Sequence, residues 1–559
     1  MRLYQRLSTY WPGILAIGAA IGALALLWRV RDLPLELSTI WRVDGLSAFF
    51  IFATLAGVAL ALAGQPIRMS RPGWRCATAI LTLVLAFATS LTLAIAIGFL
   101  LVALLTLAPW PGAARTSRSR LGAIGALLGR ALLAAPGPLA AGCLLVGYGA
   151  LALRGAPRYD DRTAGAAMDS FVFWFVLLAA VVAASPLLAL ATDDGRRTTD
   201  DLTLEQASGP VSGRVDATMS LCHPVAPSPH LMDLLRIAWL YPVARLYSLG
   251  PWNSGWSFAA LLLGGGAACW CAISALVTPE ERRRSGRIVG GYLALALAAL
   301  GLGTSSGLAA ACYGVLAYPI LVIGTQVQQG DKETRRQGDN GPASLPASRS
   351  PHLPISPSVW LLSSAFPFTA PFVAAWMLTG AGVAGGVPLL SGAAWLIAAL
   401  HGLALALWGA QAPTNTRRLI VAASASVLLG VGAPLVVRGL IAPAVDQLQG
   451  GLTPYGDVNV WPWVGLATSD AAHTQVTTLP SIAVALLMVV LCALVYTAAR
   501  LCALRRADPP AAAEDESARA AGHPAGVGAT LRALRAEVSW LGALLGPDRE
   551  REGRPSDGE

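Results

Sequence analysis

Long apolar runs are the feature that most constrains this chain. A helix needs about 20 mostly apolar residues to cross the hydrocarbon core of a bilayer. Charged residues make up 13% of the sequence, against about 25% in a soluble domain. We therefore predict an all-α polytopic membrane protein with about 14 transmembrane helices. The predicted spans are Trp11–Trp28, Leu46–Ala63, Cys76–Thr89, Leu91–Trp110, Leu132–Leu153, Met168–Leu190, Leu231–Leu249, Trp256–Val277, Ile288–Gly303, Leu308–Thr325, Val359–Thr379, Val387–Ala410, Leu419–Ile441 and Ile482–Arg500.

Arginine supplies almost all of the positive charge. Lysine and arginine together number 40, and Lys332 is the single lysine. Short cytoplasmic loops of membrane proteins carry the excess of positive residues. With the amino terminus inside, the arginines of residues 68–75, 115–130, 282–287 and 417–418 all fall on the inner side. We therefore expect a multi-pass protein of the bacterial inner (cytoplasmic) membrane, with both termini in the cytoplasm and no nucleic-acid partner.

Cysteine and histidine give no sign of a metal or cofactor site. The eight cysteines lie mostly inside apolar runs and form no Cys-x-x-Cys pair, which is typical of buried packing residues. Cys222, His223 and His230 occur in a proline-rich stretch, but no fourth zinc ligand accompanies them. We expect no metal and no cofactor.

The chain divides into segments of different composition. A low-complexity insert lacks the apolar periodicity of a folded segment. Near the carboxyl terminus, apolar residues recur at helical spacing, which predicts either an amphipathic helix on the membrane or a neighbouring subunit, or a frayed tail. The predicted segments are a first transmembrane helix with an outer loop (1–45), a transmembrane core (46–441) that contains the insert (329–358), an extracytoplasmic loop (442–479), an extra transmembrane helix (480–503), and a cytoplasmic tail (504–559) with the amphipathic stretch (529–546).

A short motif at the entrance of the second span carries a family resemblance. Residues 41–50 read WRVDGLSAFF. This stretch resembles the Asp-Gly-Leu-Ser signature of the antiporter-like membrane subunits of respiratory complex I (NADH:quinone oxidoreductase), of Mrp-type sodium/proton antiporters and of energy-converting hydrogenases. Further fragments similar to the family's motifs follow in the family's order, over roughly residues 42–441. They are Ile97–Phe99, Ala226–Pro229, Ala275–Arg284, Gly291–Tyr292, Leu300–Gly303 and Ser364–Leu378.

The resemblance implies a fold of two inverted five-helix repeats, each with a helix broken in mid-membrane. It also implies a proton path of glutamate and lysine side chains at mid-depth. In this chain those positions fall on Leu100, Val181, Ile320 and Ala375, none of which is ionisable. We therefore predict a degenerate member in which the fold is kept and the proton path is lost.

Few ionisable residues stand inside the apolar runs. Asp233 and Arg236 lie three apart on one face of a predicted helix, where they form either an ion pair that fixes packing or part of a residual proton path. His401 is interpreted as a buried, hydrogen-bonded histidine, with a proton relay as the alternative. Asp44 is expected to be a helix cap or an interface residue rather than a proton carrier, and Arg245 is expected to snorkel to the membrane interface.

Three functions follow as hypotheses. The leading one is a scaffold-like membrane subunit of a complex-I-like or antiporter assembly, with no catalytic activity of its own and with other membrane subunits and the lipid bilayer as partners. The second is an active proton or cation transporter that uses Asp233, Arg236 and His401. The third is a membrane-embedded transferase, which would need a carboxylate cluster such as the acidic loop Asp193–Asp201.

Overall fold

A computed structural model gives the fold of the chain. Contacts divide the chain into two units, Met1–Ala493 and Leu494–Glu559, and the described residues all belong to the first. Asp233, the acidic loop 193–201, the insert 329–358 and the tail lie outside them. The structure describes residues 2–62, 71–106, 136–160, 169–184, 234–249, 254–278, 281–326, 369–408, 416–448, 459–461, 465–469, 476–479 and 490.

The first part of the bundle is a series of helices in which chain neighbours pack together. Helix α1 packs on α2, α3 on α4, α4 on α5 and α5 on α6. A short antiparallel pair of strands precedes α2, with Leu35 opposite Val43. The elements are α1 (Arg2–Arg29), β1 (Leu35–Glu36), β2 (Arg42–Val43), α2 (Gly45–Leu62), α3 (Arg71–Ala88), α4 (Thr92–Thr106), α5 (Pro136–Leu153) and α6 (Ser170–Ala184).

The second part repeats this arrangement. Helix α8 packs on α9, α9 on α10, α10 on α11 and α11 on α12, while α10 also contacts α2. The elements are a 3-10 turn (Arg236–Trp239), α7 (Leu240–Leu249), α8 (Ser254–Val277), α9 (Glu281–Gly301), α10 (Ser305–Gln326), α11 (Ala370–Ala384), α12 (Pro388–Trp408), α13 (Thr416–Val431), α14 (Ala433–Val436), a π-helical turn (Val437–Ile441), α15 (Ala442–Asp446), and an antiparallel sheet of β3 (Asn459–Trp461), β4 (Gly465–Ser469) and β5 (Val476–Leu479).

Several helices have the length and polarity of membrane spans. Within the described ranges, four segments pass this test, namely Trp11–Arg29, Gly45–Leu62, Gly255–Leu276 and Ser305–Ile323. Large apolar side chains also face outward, as with Trp28 and Phe258, which are 63% and 68% exposed. An outward apolar surface is stable in lipid but not in water. The chain is a polytopic membrane protein of the all-α class, as the apolar runs predict.

The predicted span Leu419–Ile441 differs from the observed structure. The segments Val421–Val431 and Ala433–Asp446 meet at an angle of 75°. Pro434 follows the bend directly and has no N–H to continue the helical hydrogen bonds. Gly432 occupies the bend itself, where a Cβ would lie 2.7 Å from the Leu428 carbonyl oxygen. The bend therefore follows from a Gly-Ala-Pro sequence that hydropathy alone does not single out.

Three loops meet at one end of the bundle. The backbone N–H of Ser90 donates to Ile40 O at 2.8 Å, and that of Tyr159 donates to Ser90 O at 3.2 Å. These bonds join the loop before α2, the turn between α3 and α4, and the loop after α5. We call this the motif end, because Asp44–Ser47 lies there. Arg284 belongs to the opposite end, since 16 residues of helix α9 place it about 24 Å from Leu300, whose carbonyl accepts a hydrogen bond from Tyr247 of α7.

Candidate functional site

An ion pair buried at the motif end joins α2 to α7. Arg245 donates from Nη1 to Asp44 Oδ2 at 2.5 Å and from Nη2 to Asp44 Oδ1 at 2.9 Å. The flat guanidinium thus meets the carboxylate through two parallel hydrogen bonds. The side chain of Arg245 is 0% exposed and that of Asp44 is 12% exposed. The expectation that Arg245 snorkels to the interface is wrong, because a partner inside the bundle neutralises its charge.

Two hydroxyl groups supply the guanidinium with further hydrogen bonds. Nη2 of Arg245 donates to Ser47 Oγ and to Tyr241 OH, each at 2.7 Å, and Nε donates to Tyr241 OH at 3.2 Å. Tyr241 lies one helical turn before Arg245, so both side chains leave α7 on the same side. The Tyr241 hydroxyl in turn donates to the Phe87 carbonyl at 3.3 Å. Each nitrogen of the guanidinium therefore has an acceptor, as a buried charge requires.

Aromatic rings cover this ion pair. The central guanidinium carbon of Arg245 lies 3.9 Å from the ring centroid of Tyr159, within the range of a cation–π contact. The rings of Phe50 and Phe87 pack on Tyr241 at centroid distances of 5.3 and 4.6 Å. Such a low-dielectric surrounding strengthens the attraction between the two charges. We call this set of five residues the buried charge cluster: Asp44, Ser47, Tyr159, Tyr241 and Arg245.

The first residue of the Asp-Gly-Leu-Ser motif also begins helix α2. Asp44 Oδ1 accepts the backbone N–H of Ser47 at 2.9 Å, which is the bond of a helix N-cap. Of the two roles expected for Asp44, cap or interface residue, the structure shows the cap. The same carboxylate holds both the end of the helix and the arginine, so its position is fixed from two directions.

The glycine of the motif allows a close contact with α15. A Cβ on Gly45 would lie 2.6 Å from the Pro443 carbonyl oxygen. The Gly45 N–H donates to Gln447 Oε1 at 2.5 Å, and Gln447 Nε2 donates to the Val30 carbonyl at 2.6 Å. One glutamine side chain thus connects the start of α2, the loop after α1 and the residues after α15. The motif is a junction between distant parts of the chain.

The chemistry open to the buried charge cluster is limited. Arginine keeps its proton in proteins, so Arg245 cannot relay protons. The carboxylate of Asp44 is occupied by Arg245 and by the N–H of Ser47. A buried pair of this kind fixes one arrangement of helices, and loss of one partner leaves an uncompensated charge. The geometry therefore supports a structural role.

Comparison with known proteins relates the chain to solved membrane complexes. No family model matches the chain, and no curated protein matches it. A chain of the Mrp complex from Dietzia sp. superposes with a TM-score of 0.56 at 14% identity, over 98% of this chain and 61% of that one. A chain of the membrane-bound sulfane sulfur reductase, an archaeal respiratory membrane complex, superposes with a TM-score of 0.50 at 15% identity, over 78% of this chain and 77% of that one. The chain has the antiporter-like fold.

Two further facts belong to this comparison. A chain of respiratory complex I from Thermus thermophilus also matches, with a TM-score of 0.48 at 18% identity, over 81% of this chain and all of that one. The present chain spans about 61% of the length of the matched Mrp chain. The likeness concerns the fold, because identities below one fifth carry no residue-level statement.

Within the antiporter-like fold, the four positions expected to have lost their charges lie in helices. Leu100 belongs to α4, Val181 to α6, Ile320 to α10 and Ala375 to α11. Ile320 and Ala375 are buried, and the other two are partly buried. The sequences of these four helices contain no aspartate, glutamate, lysine, arginine or histidine. No charged side chain on these helices stands in for the expected ones.

Of the three predicted proton-path residues, the structure describes Arg236 and His401, which lie on different elements. Asp233 lies outside the described residues. Arg236 begins the 3-10 turn that packs on α2 and α6, whereas His401 lies on α12, which packs on α8, α9 and α11. The idea of an Asp233–Arg236 pair stays a prediction.

His401 is buried. It is 0% exposed, and neither ring nitrogen has a hydrogen-bond partner among the described residues. The ring packs at 5.3 Å from that of Tyr292. The expected burial is confirmed, but the described residues offer the imidazole no hydrogen-bond partner.

Sequence reasoning missed the residues that complete the buried charge cluster. Tyr241 had a usable signal, since it precedes Arg245 by four residues and carries a hydroxyl inside an apolar helix. Tyr159 had no such signal, because it lies in a loop far along the chain from Asp44, and the same is true of Gln447 at the neighbouring junction. Only the fold reveals these contacts.

Proposed function

We propose that this chain is a scaffold-like membrane subunit of an ion-translocating assembly related to the Mrp and respiratory complexes. The carrying observation is the antiporter-like fold, which extends over 98% of the chain in the match to the Mrp complex. The proposal assigns the chain a role in shape and assembly, with direct proton transport weak or absent. Its partners are other membrane subunits and the lipid bilayer.

The apolar helices support the loss of transport. A proton path needs ionisable groups at mid-depth whose charge states respond to their neighbours. Leu100, Val181, Ile320 and Ala375 offer no such group. Backbone and water can bridge short gaps, but four successive apolar positions interrupt the path that the family resemblance implies.

The buried charge cluster supports a scaffold in a different way. Asp44 and Arg245 are hydrogen-bonded to each other, and the hydroxyl groups of Ser47 and Tyr241 accept further hydrogen bonds from Arg245. Charge is therefore used to hold helices rather than to carry ions. A scaffold needs a single stable arrangement of helices, and a buried ion pair specifies one.

The proposed orientation places the motif end outside a bacterial inner membrane, with both termini in the cytoplasm. It is supported by the arginines of residues 282–287, which stand at the opposite end of α9. Reporter fusions test it. A phosphatase fused in the loop after α5 should be active, and one fused in the loop before α9 should be inactive.

Two measurements test the proposed function. The chain is purified from native membranes in mild detergent, and co-purifying proteins are identified by mass spectrometry. Other membrane subunits should accompany it in constant ratio. The isolated chain is then reconstituted in liposomes with a pH-sensitive dye inside. Proton or sodium flux above that of empty liposomes would overturn the scaffold proposal.

One observation favours active transport as a second candidate. The ring of His401, which has no hydrogen-bond partner among the described residues, is a protonatable group inside the bundle. If the chain transports protons through Asp233, Arg236 and His401, alanine or leucine at each position should abolish flux. Unchanged flux in all three variants would remove this candidate.

A further inference from the structure

The bent segment after α13 runs sideways instead of completing a membrane span. We call Ala433–Asp446 the lateral segment. It leaves α13 at the 75° bend and ends beside the start of α2, where the Pro443 carbonyl oxygen lies 2.6 Å from the position of a Cβ on Gly45. A helical segment of this length and angle extends about 20 Å across the direction of α13 and only about 5 Å along it.

Helix α10 gives the depth of the bend. Its first residue, Ser305, follows Leu300 by a short turn and so lies at the motif end. The 22 residues of α10 match the thickness of a bilayer core, which puts the motif end at the level of the lipid headgroups. Tyr313 lies about 12 Å further along this helix, and its hydroxyl donates to the Leu429 carbonyl at 2.7 Å. Leu429 therefore lies about 12 Å below the headgroup level.

Helix α11 gives the direction in which α13 runs. A Cβ on Gly385, directly after α11, would lie 3.4 Å from Leu302 Cδ2 at the motif end. The Ala370 N–H at the start of α11 donates to Ser426 Oγ of α13 at 3.2 Å. The 15 residues of α11 place this contact about 20 Å below the motif end. Helix α13 therefore rises toward the motif end and stops at Gly432, about 10 Å short of it.

The outward surface of the lateral segment changes from apolar to charged along its length. Leu435, next to the bend, is 80% exposed, and Arg438 and Asp446 further along are exposed as well. Val437 and Ile441 face inward and are buried. The exposed leucine thus lies deepest, and the charged residues follow toward the motif end. A helix in a membrane interface has this form, because it buries its apolar side chains about 5–10 Å into the boundary between headgroups and acyl chains.

We propose that the lateral segment is a lipid-binding surface in the leaflet at the motif end, with Leu435 among the acyl chains and the guanidinium of Arg438 at the lipid phosphates. The two residues lie three positions apart and so are neighbours on the helix surface. A long arginine side chain can reach from an apolar surface to the headgroups, and anionic lipids attract its charge most strongly. The inference goes beyond the scaffold role, because it assigns a lipid site to one segment, and it holds for either orientation of the chain.

Photo-crosslinking in nanodiscs tests the proposal. Leu435 of the full chain is replaced by p-benzoylphenylalanine, and the chain is reconstituted in equal parts of phosphatidylcholine and phosphatidylglycerol. Adducts formed under light are identified by mass spectrometry. Phe258 is the matched control position, because it is 68% exposed on α8, whose sequence has no charged residue, and because the nearby Leu261 N lies 2.7 Å from a Cβ on Gly301 at the motif end. We expect lipid adducts at both positions, with phosphatidylglycerol enriched about fivefold at residue 435 alone.

Two variants connect the enrichment to the arginine. Arg438→Gln should remove it, whereas Arg438→Lys should keep it, because lysine retains the positive charge. The proposal is overturned if residue 435 forms no lipid adduct while residue 258 does, if both positions show equal enrichment, or if the enrichment survives Arg438→Gln. An adduct of residue 435 with a neighbouring subunit in native membranes, or with another part of this chain, would also overturn it. The liposome flux assay tests the scaffold role separately.

Discussion

Substitution of Arg245 by methionine gives the strongest test of the structural role of the motif. Methionine keeps most of the apolar stem but removes the charge and the hydrogen bonds to Asp44, Ser47 and Tyr241. Asp44 is then left as a buried carboxylate without its cation. Breaking a buried pair in this way costs about 3–5 kcal/mol. We expect Arg245→Met to lower the free energy of unfolding by that amount.

A double-mutant cycle separates the pair from its surroundings. Asp44→Asn preserves the helix cap, because asparagine caps as well as aspartate does, but it leaves the charge of Arg245 unpaired. Each single variant should be strongly destabilised. The double variant Asp44→Asn with Arg245→Met contains no buried charge at this site. The double variant should therefore lose less free energy of unfolding than the two single variants lose in sum, by about 2 kcal/mol.

The assay is unfolding in mild detergent by titration with a denaturing detergent, followed by tryptophan fluorescence. Asp169→Asn is the matched control, because Asp169 pairs with Arg154 while both side chains are largely exposed, at 46% and 40%. Exposed pairs contribute little, so this control should hardly differ from the wild type. The structural role of the buried pair is refuted if Arg245→Met is no more destabilised than the control. It is also refuted if the double variant loses the full sum of the free energies lost by Asp44→Asn and Arg245→Met.

Three further predictions concern single contacts. Gly45→Ala should lower the Tm, because its Cβ would lie 2.6 Å from a carbonyl oxygen of α15, whereas Gly18→Ala, with nothing within 4 Å, should leave the Tm unchanged or raised. Tyr148→Phe should lower the free energy of unfolding by about 1 kcal/mol in the same assay, since the hydroxyl of Tyr148 donates to a backbone carbonyl of α7. The hydrogen bond from Arg154 lowers the pKa of Asp169, so this carboxylate stabilises the fold above its unfolded pKa of about 4 and loses that contribution as the pH falls through the lowered value. Because this exposed pair contributes little, Asp169→Asn should reduce the acid dependence of the Tm below about pH 4 only slightly, and a large change in the acid limb would contradict this assignment.

Much of the helical framework was predictable because it depends on local sequence. Apolar runs long enough to span a bilayer can satisfy their backbone polar groups only as helices within lipid. The separation of α3 from α4 at Thr89–Leu91 was predicted in the same way, although no charge marks it. The bend at Gly432 was not, because hydropathy averages over the residues that interrupt backbone hydrogen bonding.

The candidate site was predictable only in part. The motif pointed to Asp44 as a helix cap, and that role depends on a residue three positions away. Its partner Arg245 lies 201 positions further along the chain, and without the fold an arginine near a helix end looks like one that reaches for the interface. For His401, sequence showed an imidazole in an apolar helix but could not show that its neighbours offer no partner.

The junction made by Gln447 also sets an order of events during synthesis. A chain enters the membrane from its amino terminus onward, so helix α2 is made long before Arg245 exists and longer still before Gln447 does. Asp44 therefore has no cation to pair with until α7 has been synthesised. Gly45 can form its hydrogen bond to Gln447 only after nearly 450 residues have been made. The second helix in the chain is among the last to reach its final contacts. Chains released before α15 should therefore keep an open, protease-sensitive start of α2.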